Sequence, residues 1–269
     1  MSSDPEVDRC LGAIREQARA LADEVTALSP EAWDGPTNCA PWRVRDLVAH
    51  VVASGEGFKM AVERGLVGQT DPPQTAEGRE HRQAGLAAAE PAEVAGALDG
   101  NTAAFEALYA GLDESGLSAI GYHRRGNRPA RWFAFHRLAE VSFHRWDFQQ
   151  SIGRPIPFDE RVAAILLPTL LESNAPRTYA AGLSKARGTG ERYLLAVEGD
   201  PAARWLVTIG PDALEARRGD APADATITGT AAALALLVYG RRELDGSGGL
   251  RVAGDPVVAA RFSEVFPRP

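Results

Sequence analysis

Residues 131–152 read RWFAFHRLAEVSFHRWDFQQSI, and this stretch predicts a long helix that carries polar residues on a buried face. Side chains three and four residues apart lie on the same face of a helix. The positions related in this way are Phe133, His136, Glu140, His144 and Asp147. Large apolar neighbours leave little of the helix for solvent, so Glu140 and His144 are expected to point inward. Because a buried charge needs a partner, the helix predicts a polar site in the core.

His50 is the natural partner of this pair, because it lies on an otherwise apolar helix predicted from about Val44. One divalent ion satisfies a carboxylate and two imidazoles together, and three protein ligands leave a coordination position open, as in catalytic zinc sites. We therefore predict a metal site formed by His50, Glu140 and His144, with zinc preferred, although iron or nickel would accept the same ligands. The alternatives are a solvated pair of residues four apart and a hydrogen-bonded core histidine.

Two further residues of the same helix have open roles. His136 continues the series of four-residue steps and is either a ligand or a supporting group. Asp147 either orients an imidazole by accepting its second ring proton or stabilises the helix end. Cys10 and Cys39 are expected to be structural, since one adjoins a core stripe and the other lies in a turn.

The composition is that of an ordinary globular protein. The 269 residues carry a formal net charge of −7, so the sequence offers no general basic field for nucleic acid or anionic lipid. The arginines at 124, 125, 128 and 131 form one local basic cluster, to which we assign at most a contact with an anionic substrate. Two cysteines, acidic residues near the N-terminus and the lack of a long apolar run predict a cytoplasmic protein with no membrane partner.

Four amphipathic helices are predicted within the first 155 residues, beginning near residues 7, 44, 91 and 131, and residues 68–80 are predicted to form a loop. This pattern favours an all-α four-helix bundle over residues 1–155.

After about residue 182 the pattern changes to short β-like runs, which predicts a second domain. The predicted strands are RYLLAVEG (192–199), RWLVTIG (204–210), DATITGT (224–230) and GLRVAG (249–254), and helices are predicted over 231–239 and 256–266. We therefore predict a helical connector over residues 156–182 and a small α+β domain over residues 183–269.

Several of these segments resemble one family. PTNCAPWRVRDLVAHVV (36–52) and HRLAEVSFHRWD (136–147) are similar to the mycothiol-dependent maleylpyruvate isomerases, a branch of the DinB-like metal-binding helical bundles. ADATITGTAAALALLVYGRREL (223–244) and LRVAGDPVVAARF (250–262) resemble the family's second domain, which has a sterol-carrier-like α+β fold.

The resemblance implies a zinc enzyme whose ligands match His50, Glu140 and His144. It also implies that an arginine of the second domain reaches the site, and we nominate Arg241, with Arg242 as its rival. The implied chemistry is attack by a zinc-activated low-molecular-weight thiol, mycothiol, on a small electrophile such as an unsaturated keto acid. One departure is Arg43, which stands where the family usually has a helix-capping Thr or Ser, so we expect Asp46 to lose its capping-box partner.

The leading hypothesis is thus a zinc- and mycothiol-dependent isomerase or S-transferase. Two alternatives are a metal-dependent hydrolase that uses zinc-bound water, and a carrier of a small apolar ligand with a non-catalytic bundle. The expected partners are a small-molecule electrophile and a low-molecular-weight thiol, and the chain is expected to be a monomer or a homodimer.

Overall fold

The computed structural model describes residues 4–245 and 248–268. The chain divides into two compact units, with the boundary between Pro157 and Phe158. Among the described residues, the regular elements of the first unit are helices and one short hairpin, with an isolated β-bridge between Pro36 and Arg43, and the second unit contains a five-stranded sheet.

Four long helices dominate the first unit. α1 packs against α5 and α7, and α3 packs against the same two helices. Apolar residues at helical spacing form their shared core, including Leu21, Val51 and Phe148. The elements are α1 (Pro5–Thr26), α2 (Pro30–Trp33), α3 (Val44–Leu66), α4 (Ala76–Ala87), α5 (Pro91–Ala110), α6 (Glu114–Ser118), β1 (Ile120–Gly121), β2 (Arg128–Pro129) and α7 (Ala130–Ser151).

Two expectations for this unit need correction. The predicted loop over 68–80 ends earlier, because the Thr75 hydroxyl accepts the Gly78 N–H and begins α4. The expected loss of Asp46's capping partner was right for the Arg43 side chain but not for the backbone half of the capping box. Its carboxylate accepts the backbone N–H of Arg43 at 2.9 Å, so half of the capping box is kept although the Arg43 side chain caps nothing.

The second unit is a mixed sheet with helices. Its strand order is β5-β4-β3-β6-β7, in which β3 and β6 are parallel and the other neighbours are antiparallel. The elements are α8 (Glu160–Thr169), a π-helical turn (Leu170–Asn174), α9 (Ala175–Ala180), β3 (Glu191–Val197), β4 (Arg204–Ile209), β5 (Leu214–Arg218), β6 (Ala225–Gly229), α10 (Ala231–Val238), β7 (Arg251–Gly254) and α11 (Pro256–Val265).

The predicted connector over 156–182 differs from the structure in its packing. α8 packs against α10, which is buried along its whole length, and α9 packs against β5. These helices therefore belong to the second unit. Within the described ranges, no helix is both long enough and apolar enough to cross a membrane.

Candidate metal centre

The predicted ligands come from two helices that pack against each other. α3 carries His50, and α7 carries Glu140 and His144 on successive turns of one face. Glu140 Oε2 lies 3.1 Å from His50 Nε2 and 3.6 Å from His144 Nε2. One ligand atom from each of the three residues lies within 4.8 Å of the other two. The structure therefore brings together the three side chains nominated from the sequence.

All three side chains are part-buried. The His50 side chain is 27% exposed, whereas those of Glu140 and His144 are 13% and 12% exposed. Burial alone would raise the pKa of Glu140, but hydrogen bonds with His144 and His50 outweigh it and hold that pKa well below its usual range. Glu140 is therefore a carboxylate at neutral pH, ready to bind a cation.

Asp147 lies behind His144 and orients its ring. The Asp147 Oδ2 atom is 3.2 Å from His144 Nδ1, and the Cys39 thiol donates to the same oxygen at 3.3 Å. With its Nδ1 proton directed at Asp147, His144 turns Nε2 toward Glu140, as histidine ligands of metals usually require. The geometry favours the orienting role for Asp147. Cys39, His144 and Asp147 themselves form a second group with metal-ligand spacing.

His136 takes a different position from the three converging residues. Its Nε2 is 3.8 Å from Glu140 Oε1, but its ring stacks on Trp132 at 4.4 Å and contacts Phe58 at 4.9 Å. Burial lowers its pKa to about 4, so the imidazole is neutral at neutral pH. His136 therefore borders the site as part of an aromatic cluster and is not grouped with the three candidate ligands.

The donor set fits zinc, because two imidazole nitrogens and one carboxylate oxygen converge and Asp147 supports one imidazole from behind.

The family described as "Mycothiol maleylpyruvate isomerase N-terminal domain" matches residues 14–149, and the family described as "MDMPI C-terminal domain" matches residues 171–261. The chain belongs to the mycothiol maleylpyruvate isomerase family. The resemblance inferred from the sequence motifs is thereby confirmed.

Relatives of this mycothiol maleylpyruvate isomerase family member include two proteins from Mycobacterium tuberculosis, Uncharacterized protein Rv0738 (strain H37Rv) and Uncharacterized protein MT0763 (strain CDC 1551). Each is 28% identical over 134 residues, which is 48% of this chain. The match spans 59% of each relative's own length.

Solved structures with the same fold include that of the mycothiol-dependent maleylpyruvate isomerase, with a TM-score of 0.63, 16% identity and 92% coverage of both chains. A variant of that enzyme with one histidine replaced by alanine gives a TM-score of 0.64 at 14% identity, again with 92% coverage of both chains.

Sequence reasoning missed one residue beside the candidate ligands. The Trp42 ring centroid lies 4.7 Å from that of His50 and 6.2 Å from that of His144. Trp42 thus forms an apolar wall against both imidazoles. Its only signal in the sequence is its place in the family-like segment 36–52.

Arg241 belongs to the second unit, just after α10. Its Nη1 donates to the Tyr239 carbonyl at 3.0 Å, and its guanidinium lies over the Tyr239 ring at 5.0 Å. Arg242, its rival, donates to the carbonyl of Gly248. The role nominated for Arg241 stays a prediction.

Proposed function

We propose that this chain is a zinc-dependent enzyme that uses mycothiol as its thiol cosubstrate and acts as an isomerase or S-transferase on a small electrophile such as an unsaturated keto acid. The observation that carries the proposal is the convergence of His50, Glu140 and His144 in a member of the mycothiol maleylpyruvate isomerase family. The DinB-like and sterol-carrier-like classifications of the two units, and a cytoplasmic location, belong to the same proposal.

His50, Glu140 and His144 would hold the zinc ion, which when bound supplies the positive charge that keeps a thiol ionised at neutral pH. Glu140 is already ionised, and the contact with Asp147 keeps the Nε2 atom of His144 directed at the site. The Trp42 ring packs beside the His50 imidazole. In an isomerase the thiol adds to the double bond, the adduct rotates and the thiol leaves, whereas in an S-transferase the adduct is the product.

The metal part of the proposal is tested by zinc analysis of His50→Ala, Glu140→Ala and His144→Ala. Each variant should lose most of its zinc, because two remaining ligands bind much more weakly than three. His81→Ala, on the exposed side of α4, is the matched control and should keep its zinc. Full zinc retention in all three ligand variants would remove the basis of the proposal.

The thiol part is tested by measuring the rate at which the zinc-loaded protein consumes maleylpyruvate, with and without added mycothiol. Turnover that requires mycothiol and returns it unchanged indicates an isomerase, and accumulation of a stable adduct indicates an S-transferase. Turnover at the same rate without thiol would instead favour the hydrolase.

We also propose that Arg241, rather than Arg242, contributes to this reaction. Arg241→Gln should reduce kcat/KM while leaving the zinc content unchanged, and Arg242→Gln should change neither. Equal activity of wild type and Arg241→Gln would rule out this role.

A further inference from the structure

A buried arginine lies beside the candidate metal site and takes no part in the chemistry above. Arg137 is on α7, three residues before Glu140, and its side chain is completely buried. Burial lowers its pKa to about 10, so the guanidinium is still charged at neutral pH. A buried charge destabilises the fold unless it is hydrogen-bonded, so the partners of the guanidinium matter.

Those partners belong to two other helices. Arg137 Nη1 donates to the backbone carbonyl of Val51, the residue that follows His50 on α3. Arg137 Nη2 donates to Asn101 Oδ1 on α5 at 3.1 Å. One side chain of α7 therefore ties α3 and α5 together at the level of the His50 ligand.

Helix α3 has a glycine, Gly55, at the point where the Arg137 guanidinium lies against it. A Cβ atom at Gly55 of α3 would lie 2.2 Å from Asn101 Oδ1 and 2.6 Å from the Arg137 guanidinium carbon. Both distances are far below van der Waals contact. Gly55 thus provides the space in which Arg137 and Asn101 meet, and this steric fit is independent of the hydrogen bonds.

We propose that Arg137 is a positioning residue for the metal site. Its side chain holds α3 and α7 at the separation that lets His50 and Glu140 bind one ion. The inference rests on the proposed function, since it assumes that these residues bind zinc. It goes further by assigning the spacing between the two ligand helices to a residue that touches neither the ion nor the substrate. A purely structural role would change folding stability but not zinc affinity per folded molecule.

Zinc affinity of the full chain, measured by competition with a chromophoric chelator, separates the two roles. Arg137→Met should weaken zinc binding about 10-fold or more, as is typical when a group that supports metal ligands is removed. Arg137→Lys should give an intermediate loss, because an ammonium group reaches one of the two oxygens but does not span both. Gly55→Ala should resemble Arg137→Met, since the added methyl group displaces the guanidinium.

The control is Val25→Ala, a buried position on α1, a helix that carries no candidate ligand. It should lower the melting temperature but keep the zinc Kd within about twofold, because the methyl groups that it removes make no hydrogen bond to the candidate ligands or to Arg137. The visible absorption of Co²⁺-loaded protein adds a second readout, since displaced ligands change the ligand-field bands.

A zinc Kd in Arg137→Lys and Gly55→Ala equal to that of Val25→Ala would overturn the inference, even if Arg137→Met fails to fold. A wild-type protein that binds no zinc would overturn the proposed function itself. The two failures are therefore distinguishable.

Discussion

At the scale of the single residue, His123 makes the stability of the protein depend on pH. Its ring lies 5.0 Å from Trp132 and 5.4 Å from His136. Burial, followed by the charges of His136 and nearby arginines, lowers its pKa to about 3. Since an unfolded histidine titrates near 6.5, the folded chain binds fewer protons in between, and the stability present above pH 6.5 is lost as the pH falls toward 3.

We expect His123→Asn to remove this loss. Between pH 6.5 and 5, the free energy of unfolding of the wild type should fall by about 2 kcal/mol more than that of the variant. Urea unfolding curves at both pH values measure the difference. His81→Asn, on the exposed side of α4, controls for loss of a histidine and should behave like wild type. Parallel pH profiles for wild type and His123→Asn would contradict the buried, neutral state of His123.

The candidate site was predictable from the sequence where its geometry is local. The four-residue step from Glu140 to His144 fixes both side chains on one face of α7. His50 is 90 residues away from Glu140, so no helical spacing relates the two. It was predicted as the third ligand because it is a histidine on an otherwise apolar helix. Trp42 and Cys39 come from the irregular segment before α3, whose path no periodicity describes.

At the scale of the element, the hairpin of β1 and β2 is held against α3 by a close approach of backbones. A Cβ atom at Gly65 of α3 would lie 2.6 Å from the carbonyl oxygen of Ile120. We expect Gly65→Ala to lower the free energy of unfolding by about 1–3 kcal/mol, because backbone must move to admit the methyl group. Urea denaturation measures the change.

The matched control is Gly96→Ala on α5, where an added Cβ meets no atom within 4 Å. Alanine there should stabilise the protein by about 0.5–1 kcal/mol, since it restricts the unfolded chain and favours the helix. If both variants gained stability, the tight contact between α3 and β1 would not exist in solution.

An element could be predicted from the sequence when its buried residues are numerous and recur at a regular spacing. α7 begins and ends within one residue of its predicted limits, because its buried positions recur over six turns. α4 was missed since only Leu86 and Ala87 of its twelve residues are buried. β5 was missed because it is an edge strand with one buried residue, Leu214, followed by charged positions.

At the scale of the whole molecule, the sequence indicated two units but placed the second one too late. The change to β-like runs near residue 182 marks where strands begin, whereas the units divide at residue 157. Helices α8 and α9 have the same apolar periodicity whichever core they join, so periodicity alone does not assign them. Their packing on α10 and β5 assigns them to the second unit.

Zinc bound at the proposed site should also stabilise the first unit, which carries all three candidate ligands. The candidate ligands on α3 and α7 meet only in the folded state, so zinc bound by all three favours folding. At a free zinc concentration about 1,000 times the Kd, the free energy of unfolding should rise by about 4 kcal/mol. Thermal unfolding after removal of metal by a chelator, and again after zinc is restored, measures the effect. Glu140→Ala should show little zinc-dependent rise in Tm, because it lacks the central carboxylate; an equal rise in the variant and the wild type would place the stabilising zinc elsewhere.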